Sequence, residues 1–271
     1  MPKVAVVILN YMNYQDTIAC IDSVLEQKYQ DFCIVVVDNG SQNESFQVLK
    51  RKGLENNLIN VIRARKNYGF AKGNNIGIKY ARERLGAEFV LLINNDTIMI
   101  DNEYISKLLA AYLKGVGVIG SKIILRNGNV QKPYKEIVSF PGTLIFYISL
   151  LNYVWGNTNI ERKCSDYLSR YQRVEILHGS AFMLTPDFFI FYEGLYSKTF
   201  LYTEEILLYL LCKRVGIKQI YVSKASIYHK EDQSSKFLFN NENSIKLKYI
   251  KDSYKYVLME SFFEFFKSLR K

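Results

Sequence analysis

Uninterrupted apolar runs and helix-like periodic segments alternate along the first half of the chain. The clearest run, residues 89–93, contains no polar side chain and ends abruptly in Asn94, Asn95 and Asp96. A run of this kind predicts a strand buried on both faces, as in a parallel sheet covered by helices. Further strands are predicted at residues 4–9, 33–37, 58–62 and 117–125, with a first helix at about residues 15–26. The alternation predicts an α/β fold with a mostly parallel sheet.

Polar side chains stand at the ends of three of these predicted strands. Asn10 and Asp38 follow the first two strands, and Asp96 follows the run at residues 89–93. Right-handed crossovers bring the carboxyl ends of parallel strands to one edge of a sheet, so we expect these three residues to line one crevice. A carboxylate at such an edge suits a hard cation or a phosphate-bearing ligand, whereas Asn-Asn-Asp is also ordinary turn chemistry. Both interpretations stay open at this point.

The turn after the first predicted strand argues against a dinucleotide-binding enzyme. No glycine lies between residue 9 and the first predicted helix, so that turn lacks the Gly-x-Gly-x-x-Gly pattern of dinucleotide-binding proteins.

Glycines do recur at spacing four in residues 67–78, where Gly73 and Gly77 predict a helix that packs closely on the sheet. The polar side chains of the same segment suit hydrogen bonding to a sugar or a base; they are Asn67, Lys72, Asn74 and Asn75.

The second half of the chain has a different character. Residues 137–160 contain no charged side chain, and that length could cross a bilayer, although proline, glycine and asparagine interrupt it. The alternative is a segment that contacts a membrane or covers a substrate. Beyond it we predict strands at residues 178–184, 219–222 and 226–228, and a helix from an N-cap at Thr203 to Gly216. An amphipathic helix is predicted at residues 246–271.

Composition narrows the choice of partners. The chain has 271 residues, of which 49% are hydrophobic and 14% aromatic, and its net charge of +10 indicates an anionic partner. A phosphorylated ligand, a membrane surface and a nucleic acid all fit that charge. Four widely spaced cysteines without a C-x-x-C pair, together with only two histidines, disfavour a structural zinc site. The apolar residues 4–9 are too few for a signal-peptide core, so we expect a cytosolic chain.

Two groups of ionisable residues have both a structural and a chemical interpretation. Glu204 and Glu205 would lie in the first helical turn after Thr203, where carboxylates stabilise the N-terminus of any helix. His229, followed by Lys230 at a strand end, suits contact with a phosphate, although a lone histidine is usually structural.

Taken in order, these segments resemble the family 2 glycosyltransferases with the GT-A fold, especially the bacterial rhamnosyltransferase-like branch that builds surface polysaccharides. The resemblance covers most of residues 4–235. It rests on short stretches in the family's order: Val7-Ile8-Leu9-Asn10-Tyr11, Val37-Asp38-Asn39-Gly40-Ser41, residues 67–75, Asn94-Asn95-Asp96, residues 179–184, residues 200–216 and His229. It implies a mostly parallel nucleotide-binding sheet flanked by helices, a smaller acceptor-side subregion and a C-terminal amphipathic helix.

The resemblance also implies roles for individual residues. Asp38 would recognise the nucleotide base, and the other donor-binding residues would be Asn10, Tyr11, Asn67, Phe70, Lys72, Asn74, Asn94 and His229. Asp96 would close a D-x-D-like motif, here with a single carboxylate, and hold Mg²⁺ or Mn²⁺ together with substrate phosphates and water. Glu205 takes the position of the family's catalytic aspartate, and its extra methylene moves the carboxylate. Leu207 is a second departure, because relatives often carry an aspartate there.

The implied activity is the inverting, metal-dependent transfer of a sugar from a dTDP-, UDP- or GDP-linked donor to a hydroxyl of a lipid-linked glycan, in capsule or O-antigen synthesis. We expect a cytoplasmic enzyme held peripherally at the inner face of the cell membrane. No nucleic-acid partner is expected, because the basic residues are dispersed and no RNA-stacking signature occurs. Non-catalytic alternatives are a degenerate transferase-like scaffold and a basic module that binds membrane or RNA.

The resemblance also predicts how the chain is divided. A nucleotide-sugar-binding half would occupy residues 1–125, and an acceptor-binding and catalytic half of the same domain would occupy residues 126–235. The basic, aromatic C-terminal helix would occupy residues 236–271.

Overall fold

The computed structural model describes residues 1–154, 174–231 and 243–269. Its strands are β1 (Val4–Asn10), β2 (Phe32–Asp38), β3 (Ile59–Arg63), β4 (Phe89–Asn94), β5 (Thr97–Ile98), β6 (Val116–Leu125), β7 (Val130–Gln131), β8 (Tyr134–Glu136), β9 (Val174–Ile176), β10 (Ala181–Leu184) and β11 (Lys218–His229). Its helices are α1 (Tyr14–Leu25), α2 (Ser45–Glu55), α3 (Phe70–Leu85), α4 (Tyr104–Ala110), α5 (Gly142–Val154), α6 (Pro186–Phe189), α7 (Glu204–Val215) and α8 (Asn243–Leu269).

A single large sheet organises the protein, with strand order β3-β2-β1-β4-β10-β6-β11-β5 and β7 paired to β6. The first four strands of that order are parallel. β10 runs antiparallel to both of its neighbours, β4 and β6, and β11 runs parallel to β6. Every residue of β2 is buried, as an uninterrupted apolar run predicts for a strand covered on both faces. The predicted α/β fold with a mostly parallel sheet is therefore confirmed.

Two strand predictions in the second half were wrong in extent. The strand predicted at residues 178–184 begins at Ala181 in the structure, because the residues before it form a turn. The two short strands predicted at residues 219–222 and 226–228 are one strand, β11, with an irregular register between Val222 and Ser226. A bulge of this kind locally disrupts the strand, which explains why the sequence predicts two short strands in place of one.

Helices cover both faces of the sheet, and α3 packs closely against it. A Cβ atom added at Gly77 would lie 2.5 Å from Cγ1 of Val7 and 2.9 Å from Cγ2 of Val37. Any side chain larger than hydrogen would therefore push α3 away from β1 and β2. The predicted close packing of this glycine face on the sheet is confirmed.

A separate hydrophobic cluster joins α5, α7 and α8. Its buried members include Leu207 of α7 together with Tyr254 and Val257 of α8. α5 contributes Phe146, whose ring lies 4.7 Å from that of Tyr254, and Thr143, whose hydroxyl is 2.6 Å from that of Ser261. Within the described ranges, no helix combines the length and the hydrophobicity that crossing a bilayer requires. Residues 155–160 of the predicted charge-free segment lie outside those ranges.

The start of α7 differs in one respect from its prediction. Thr203 does occupy the N-cap position, but its hydroxyl makes no capping hydrogen bond and its backbone is left-handed, with a φ of 68°. Gly216 lies just past the end of the helix, as predicted, and its backbone is left-handed. The division of the chain near residues 125 and 235 stays a prediction.

Candidate active site

The carboxyl ends of β1, β2 and β3 meet in a buried polar cluster. Asn10 pairs with Asp38 in the sheet register, and its Nδ2 donates to Oδ1 of Asp38 at 2.9 Å. Neither side chain is exposed. Arg63, opposite Asp38 in the next register, places its Nε 3.5 Å from Asp38 Oδ2. Sequence reasoning assigned no role to Arg63, although it follows from the same strand-end rule that selected Asp38.

A cleft of about 730 Å³ opens next to this cluster. Tyr11 and Asn67 line it, together with the backbone turn after β2 and the basic stretch after β3, namely Gly40, Ser41, Gln42, Arg63, Ala64, Arg65 and Lys66. The guanidinium of Arg63 also donates to the carbonyl of Ser41 at 3.0 Å. One aromatic ring and three cationic side chains around a cleft suit a nucleotide, which offers a flat base and anionic phosphates.

The loop before α3 is built around two asparagines. Asn39 Nδ2 donates to Oδ1 of Asn67 at 3.0 Å, and Asn39 Oδ1 accepts from the backbone N–H of Tyr68 at 3.1 Å. The backbone N–H of Phe70, at the start of α3, donates to the carbonyl of Phe200 at 2.8 Å. The loop is therefore held rigidly along one wall of the cleft.

Two of the proposed donor-binding residues on α3 are placed differently from each other. Lys72 is exposed on the first turn of the helix. Asn74 is 1% exposed, and its Nδ2 donates to the carbonyl of Phe70 at 3.0 Å. Its neighbour Asn75 bonds both the N–H and the C=O of Leu195, at 2.7 and 2.8 Å. These two amides thus lie within a helix and make protein contacts rather than forming a polar loop.

A hydrogen-bonded chain connects the nucleotide side to the end of β4. The hydroxyl of Thr17 donates to Asn10 Oδ1 at 2.8 Å. The hydroxyl oxygen of Thr17 in turn accepts from Asn95 Nδ2 at 3.1 Å. Asn95 Nδ2 also lies 3.2 Å from the carbonyl of Asn13. The position of the Asn94–Asp96 stretch is therefore tied to that of the Asn10–Asp38 pair.

Asp96 and His229 meet at the end of β11. His229 Nε2 lies 3.2 Å from Oδ1 of Asp96, whose side chain is almost entirely buried. His229 Nδ1 is buried as well and has no hydrogen-bond partner among the residues that the structure describes. Lys230 donates its backbone N–H to the carbonyl of Asp96 at 3.0 Å, but its ammonium pairs with Asp16 at 2.5 Å. Asp16 thus offsets the positive charge that we expected Lys230 to contribute.

These two side chains fit a divalent ion bound largely by its substrate. The described residues contain no group of three or more histidine, cysteine or acidic side chains that could hold a metal by itself. One buried carboxylate next to an imidazole supplies two donors, and Mg²⁺ or Mn²⁺ completes its coordination with phosphate and water oxygens. Asn94 ends β4 with a half-buried side chain, and its backbone N–H donates to the carbonyl of Ser180 at 2.9 Å.

Glu205 lies in the first turn of α7, with its carboxylate against Gly179. A Cβ atom at position 179 would overlap that carboxylate, and the Gly179 backbone N–H hydrogen bonds to it. Burial raises the pKa of Glu205, whereas the backbone N–H groups of Glu205 and Gly179 oppose the shift because they stabilise the charged form. Burial also raises the pKa of Glu204 well above its usual value, and repulsion by Glu205 adds to that increase.

Tyr134 and His178 complete the surroundings of Glu205, and sequence reasoning assigned a role to neither. Their ring centroids are 5.3 Å apart. Burial, followed by the charge of Glu205, raises the pKa of Tyr134, and burial together with the charge of His229 lowers the pKa of His178. The charge of Glu205 thus acts on Tyr134, and that of His229 acts on His178. No local sequence pattern predicts that Tyr134 and His178 lie together, because only tertiary contacts bring β8 and the turn before β10 into proximity.

The antiparallel strand β10 explains why these groups converge. Residues 179 and 180 precede β10, and the carbonyl of Ser180 accepts from Asn94 at the carboxyl end of β4. The Glu205 carboxylate lies against Gly179, and Asp96 follows Asn94 by two residues and contacts His229. The site thus combines the half-buried Glu205 carboxylate, a two-donor cation site and a nucleotide-sized cleft.

Residues 5–181 of the chain match the family described as glycosyl transferase family 2. The chain belongs to this family. A hexosyltransferase of low-salt glycan biosynthesis, Agl10 of Haloferax volcanii, is 29% identical over 210 residues, which cover 76% of this chain and 60% of Agl10. The dTDP-rhamnosyl transferase RfbF of Shigella flexneri is 38% identical over 85 residues, or 31% of this chain and 27% of RfbF. The chain therefore spans less than two thirds of the length of these relatives.

The fold of this family 2 member also resembles solved structures. The mannosyltransferase PcManGT from Pyrobaculum calidifontis, in complex with GDP-Man and Mn²⁺, aligns with a TM-score of 0.59 at 13% identity, over 86% of this chain and 58% of that one. At such low identity the likeness shows the fold alone, and that fold is the GT-A fold expected from the sequence.

Proposed function

We propose that this protein is a metal-dependent, inverting glycosyltransferase that moves a sugar from a nucleoside diphosphate to a hydroxyl of a glycan acceptor. The observation that supports the proposal is that the Glu205 carboxylate lies against Gly179, just before β10, while the next residue, Ser180, is hydrogen-bonded to Asn94 at the end of β4, which leads to the Asp96–His229 pair. A base on the acceptor side and a cation site on the donor side are the two groups that direct displacement of a diphosphate needs.

The donor would bind along the carboxyl edge of β1 to β4. The Asp38 carboxylate, held by Asn10 and Arg63, would recognise the base, and Tyr11, Asn67 and the basic residues after β3 would surround the nucleoside and its phosphates. RfbF is by name a dTDP-rhamnosyl transferase, and PcManGT was solved with GDP-Man. A dTDP-, UDP- or GDP-linked sugar is the proposed donor class.

Asp96 and His229 would hold Mg²⁺ or Mn²⁺ against the donor diphosphate, with Asn94 beside it. A divalent ion at this position neutralises the charge that develops on the departing diphosphate. The protein's own contribution is to bury the Asp96 carboxylate and fix its orientation through the His229 contact and the backbone bond from Lys230.

Glu205 would take the proton from the acceptor hydroxyl as its oxygen attacks the anomeric carbon from the face opposite the diphosphate. Its raised pKa keeps the carboxylate a better base than a solvent-exposed one, and the Gly179 N–H orients it. Direct displacement with one base inverts the configuration at that carbon. Tyr134 and His178 would line the acceptor side of the reaction space.

A lipid-linked glycan at the inner face of the cell membrane is the proposed acceptor, in capsule or O-antigen synthesis. On α8, the exposed residues Lys248, Lys255 and Phe262 follow one another at intervals of seven and so share one helix face. Phe263, Phe266 and Leu269 are exposed on the adjoining turns. A face that combines lysines and aromatic side chains suits the interface of an anionic bilayer.

The alternative is a degenerate, non-catalytic member of the family. Asn94, in place of a second carboxylate, is the observation that favours it. Hydrolysis or transfer assays with UDP-, dTDP- and GDP-sugars, with Mn²⁺ and with EDTA, separate the two. We expect metal-stimulated turnover of at least one donor; donor binding without any turnover would support the degenerate alternative.

Asp96→Asn is the variant that tests the cation site. Because Asp96 is 4% exposed, the isosteric amide is preferable to alanine, which would leave a cavity. We expect the amide variant to lose metal-stimulated turnover while its thermal unfolding stays close to that of the wild type. Asp101→Asn is the matched control, because Asp101 pairs with Lys107 outside the site. Equal metal stimulation in both variants would rule out Asp96 as the metal ligand.

A further inference from the structure

The four residues before Glu204 form a turn with two strained backbones. Tyr202 and Thr203 adopt φ angles of 71° and 68°. Such angles are uncommon for any residue with a side chain and are genuine outliers for a β-branched one. Each is strained and persists only where surrounding contacts determine the conformation. Since Glu205 is two residues further along, this turn sets where its carboxylate lies.

The strain is not relieved within the turn. The Thr203 hydroxyl is buried and has no hydrogen-bond partner in the described ranges, so it does not cap α7. The contacts that hold the turn must therefore come from other elements.

α8 provides one set of those contacts. The hydroxyl of Ser253 donates to the carbonyl of Leu201 at 2.8 Å. The ring of Tyr249, one turn earlier, stacks on Phe200 with a centroid distance of 5.2 Å and an interplanar angle of 23°. The ammonium of Lys246, a further turn back, lies 5.7 Å from the centroid of the Tyr202 ring. Three successive turns of α8 thus contact three successive residues of the strained turn.

The donor-side loop provides the opposing contacts. The Phe70 N–H donates to the carbonyl of Phe200 at 2.8 Å. Gly69, with a φ of +80°, packs so closely on the backbone of Phe200 that a Cβ atom would overlap it. The strained turn is therefore clamped between the wall of the donor cleft and α8.

We propose that Ser253 and Tyr249 are positioning residues for Glu205. Through them α8 would contribute to catalysis, although neither residue contacts the substrate. This inference rests on the proposed function, because it assigns Glu205 the role of base. When the Ser253 hydrogen bond is lost, the turn relaxes toward unstrained φ angles and the carboxylate moves with it. A displacement of about 1 Å at a reacting group costs up to about 10²-fold in rate.

The docking of α8 does not depend on Ser253. Arg214, in the last turn of α7, pairs with Glu260 and Glu264 of α8, the latter at 3.0 Å. Tyr254 and Val257 are buried in the cluster shared with α7. Removing one hydroxyl at position 253 therefore leaves the helix in place, and its effect can be read at the turn.

The chain contains a matched control on the same helix. Ser261 is as buried as Ser253, and its hydroxyl also makes an interhelical contact, but to Thr143 of α5 instead of the turn. The experiment compares Ser253→Ala, Ser253→Thr, Tyr249→Leu and Ser261→Ala. It measures kcat and KM with a nucleotide-sugar that the wild type turns over, and hydrogen exchange of the peptide covering residues 200–207.

We expect Ser253→Ala and Tyr249→Leu to lower kcat by about 10-fold or more, with the donor KM within about 2-fold of the wild type. The same variants should speed hydrogen exchange across residues 200–207. Ser261→Ala should change neither quantity, and Ser253→Thr, which keeps the hydroxyl, should restore kcat.

Two results would overturn the positioning role. One is unchanged exchange of the 200–207 peptide in Ser253→Ala, and the other is a loss of kcat no larger than in Ser261→Ala. Failure of the proposed function looks different, because the wild type itself would then turn over no nucleotide-sugar. The exchange measurement still decides, in that case, whether Ser253 holds the turn.

Discussion

Burial raises the pKa of both glutamates at the start of α7, and two further interactions distinguish them. Glu204 carries the additional repulsion of the Glu205 charge, while Glu205 gains a hydrogen bond from the Gly179 N–H. These interactions favour the charged form of Glu205 over that of Glu204. A carboxylate that is more basic than usual, and that a backbone N–H stabilises in its charged form, suits proton removal from a hydroxyl.

The first residue-scale prediction is that Glu205→Gln lowers turnover by roughly 10² to 10⁴, the usual contribution of a general base, while donor affinity stays within about 2-fold. Steady-state kinetics and donor titration measure the two quantities. Glu204→Gln is the control at the adjacent position and should keep most of the turnover. The reverse outcome would place the base at Glu204.

The second concerns the pH dependence of stability. The pKa of Glu204 is raised in the folded protein, so folded molecules keep a proton that unfolded molecules lose above about pH 4.3. The free energy of unfolding of the wild type therefore decreases progressively as the pH rises above that value. Gln at position 204 does not titrate. We therefore expect Glu204→Gln to gain stability relative to the wild type as pH increases from 4 to 8. Denaturant titrations at several pH values test this, and a pH-independent difference would contradict it.

At the scale of elements, packing decided what could be predicted from the sequence. The positions of β1, β2 and β4 could be predicted because both faces of each strand are buried, so their sequences are apolar runs without alternation. The extent of β10 and the continuity of β11 were not predictable, since a turn at Gly179 and a bulge after Val222 depend on tertiary contacts. The same division applies to the site. The strand-end rule selected Asn10, Asp38 and Asp96, whereas Tyr134 and His178 required the assembled sheet.

The close contact between α3 and the sheet gives an element-scale prediction. Gly77→Ala improves helix propensity by about 1 kcal/mol, but its methyl group meets Val7 and Val37. We expect a net loss of about 1–3 kcal/mol of unfolding free energy, because overpacking prevails at this spacing. Gly53→Ala in α2 is the comparison, since its nearest neighbour is a single methyl of Val61 at 3.0 Å. If the two variants have equal stability, α3 tolerates a wider spacing than the structure indicates.

On the scale of the whole molecule, a net charge of +10 acts together with the exposed aromatic end of α8. We expect the protein to float with anionic liposomes at low salt and to be largely released at about 1 M salt, where the Debye length falls to about 3 Å. Neutral liposomes are the lipid control. Replacing Phe262, Phe263 and Phe266 together with serine should weaken flotation without changing donor hydrolysis. Absence of flotation at low salt would remove the peripheral-membrane proposal.

The position of β10 has a consequence for synthesis of the protein on the ribosome. β10 lies between β4 and β6, so those two strands have no partner on their facing edges until residue 184 has emerged. In a nascent chain that has reached β6, these facing edges of β4 and β6 are among the open strand edges, which are templates for pairing with other chains. Insertion of β10 closes both edges at once, and the same event brings Gly179 to the end of β4. One event therefore both closes these two edges and positions Gly179, against which the Glu205 carboxylate packs once α7 has been synthesised.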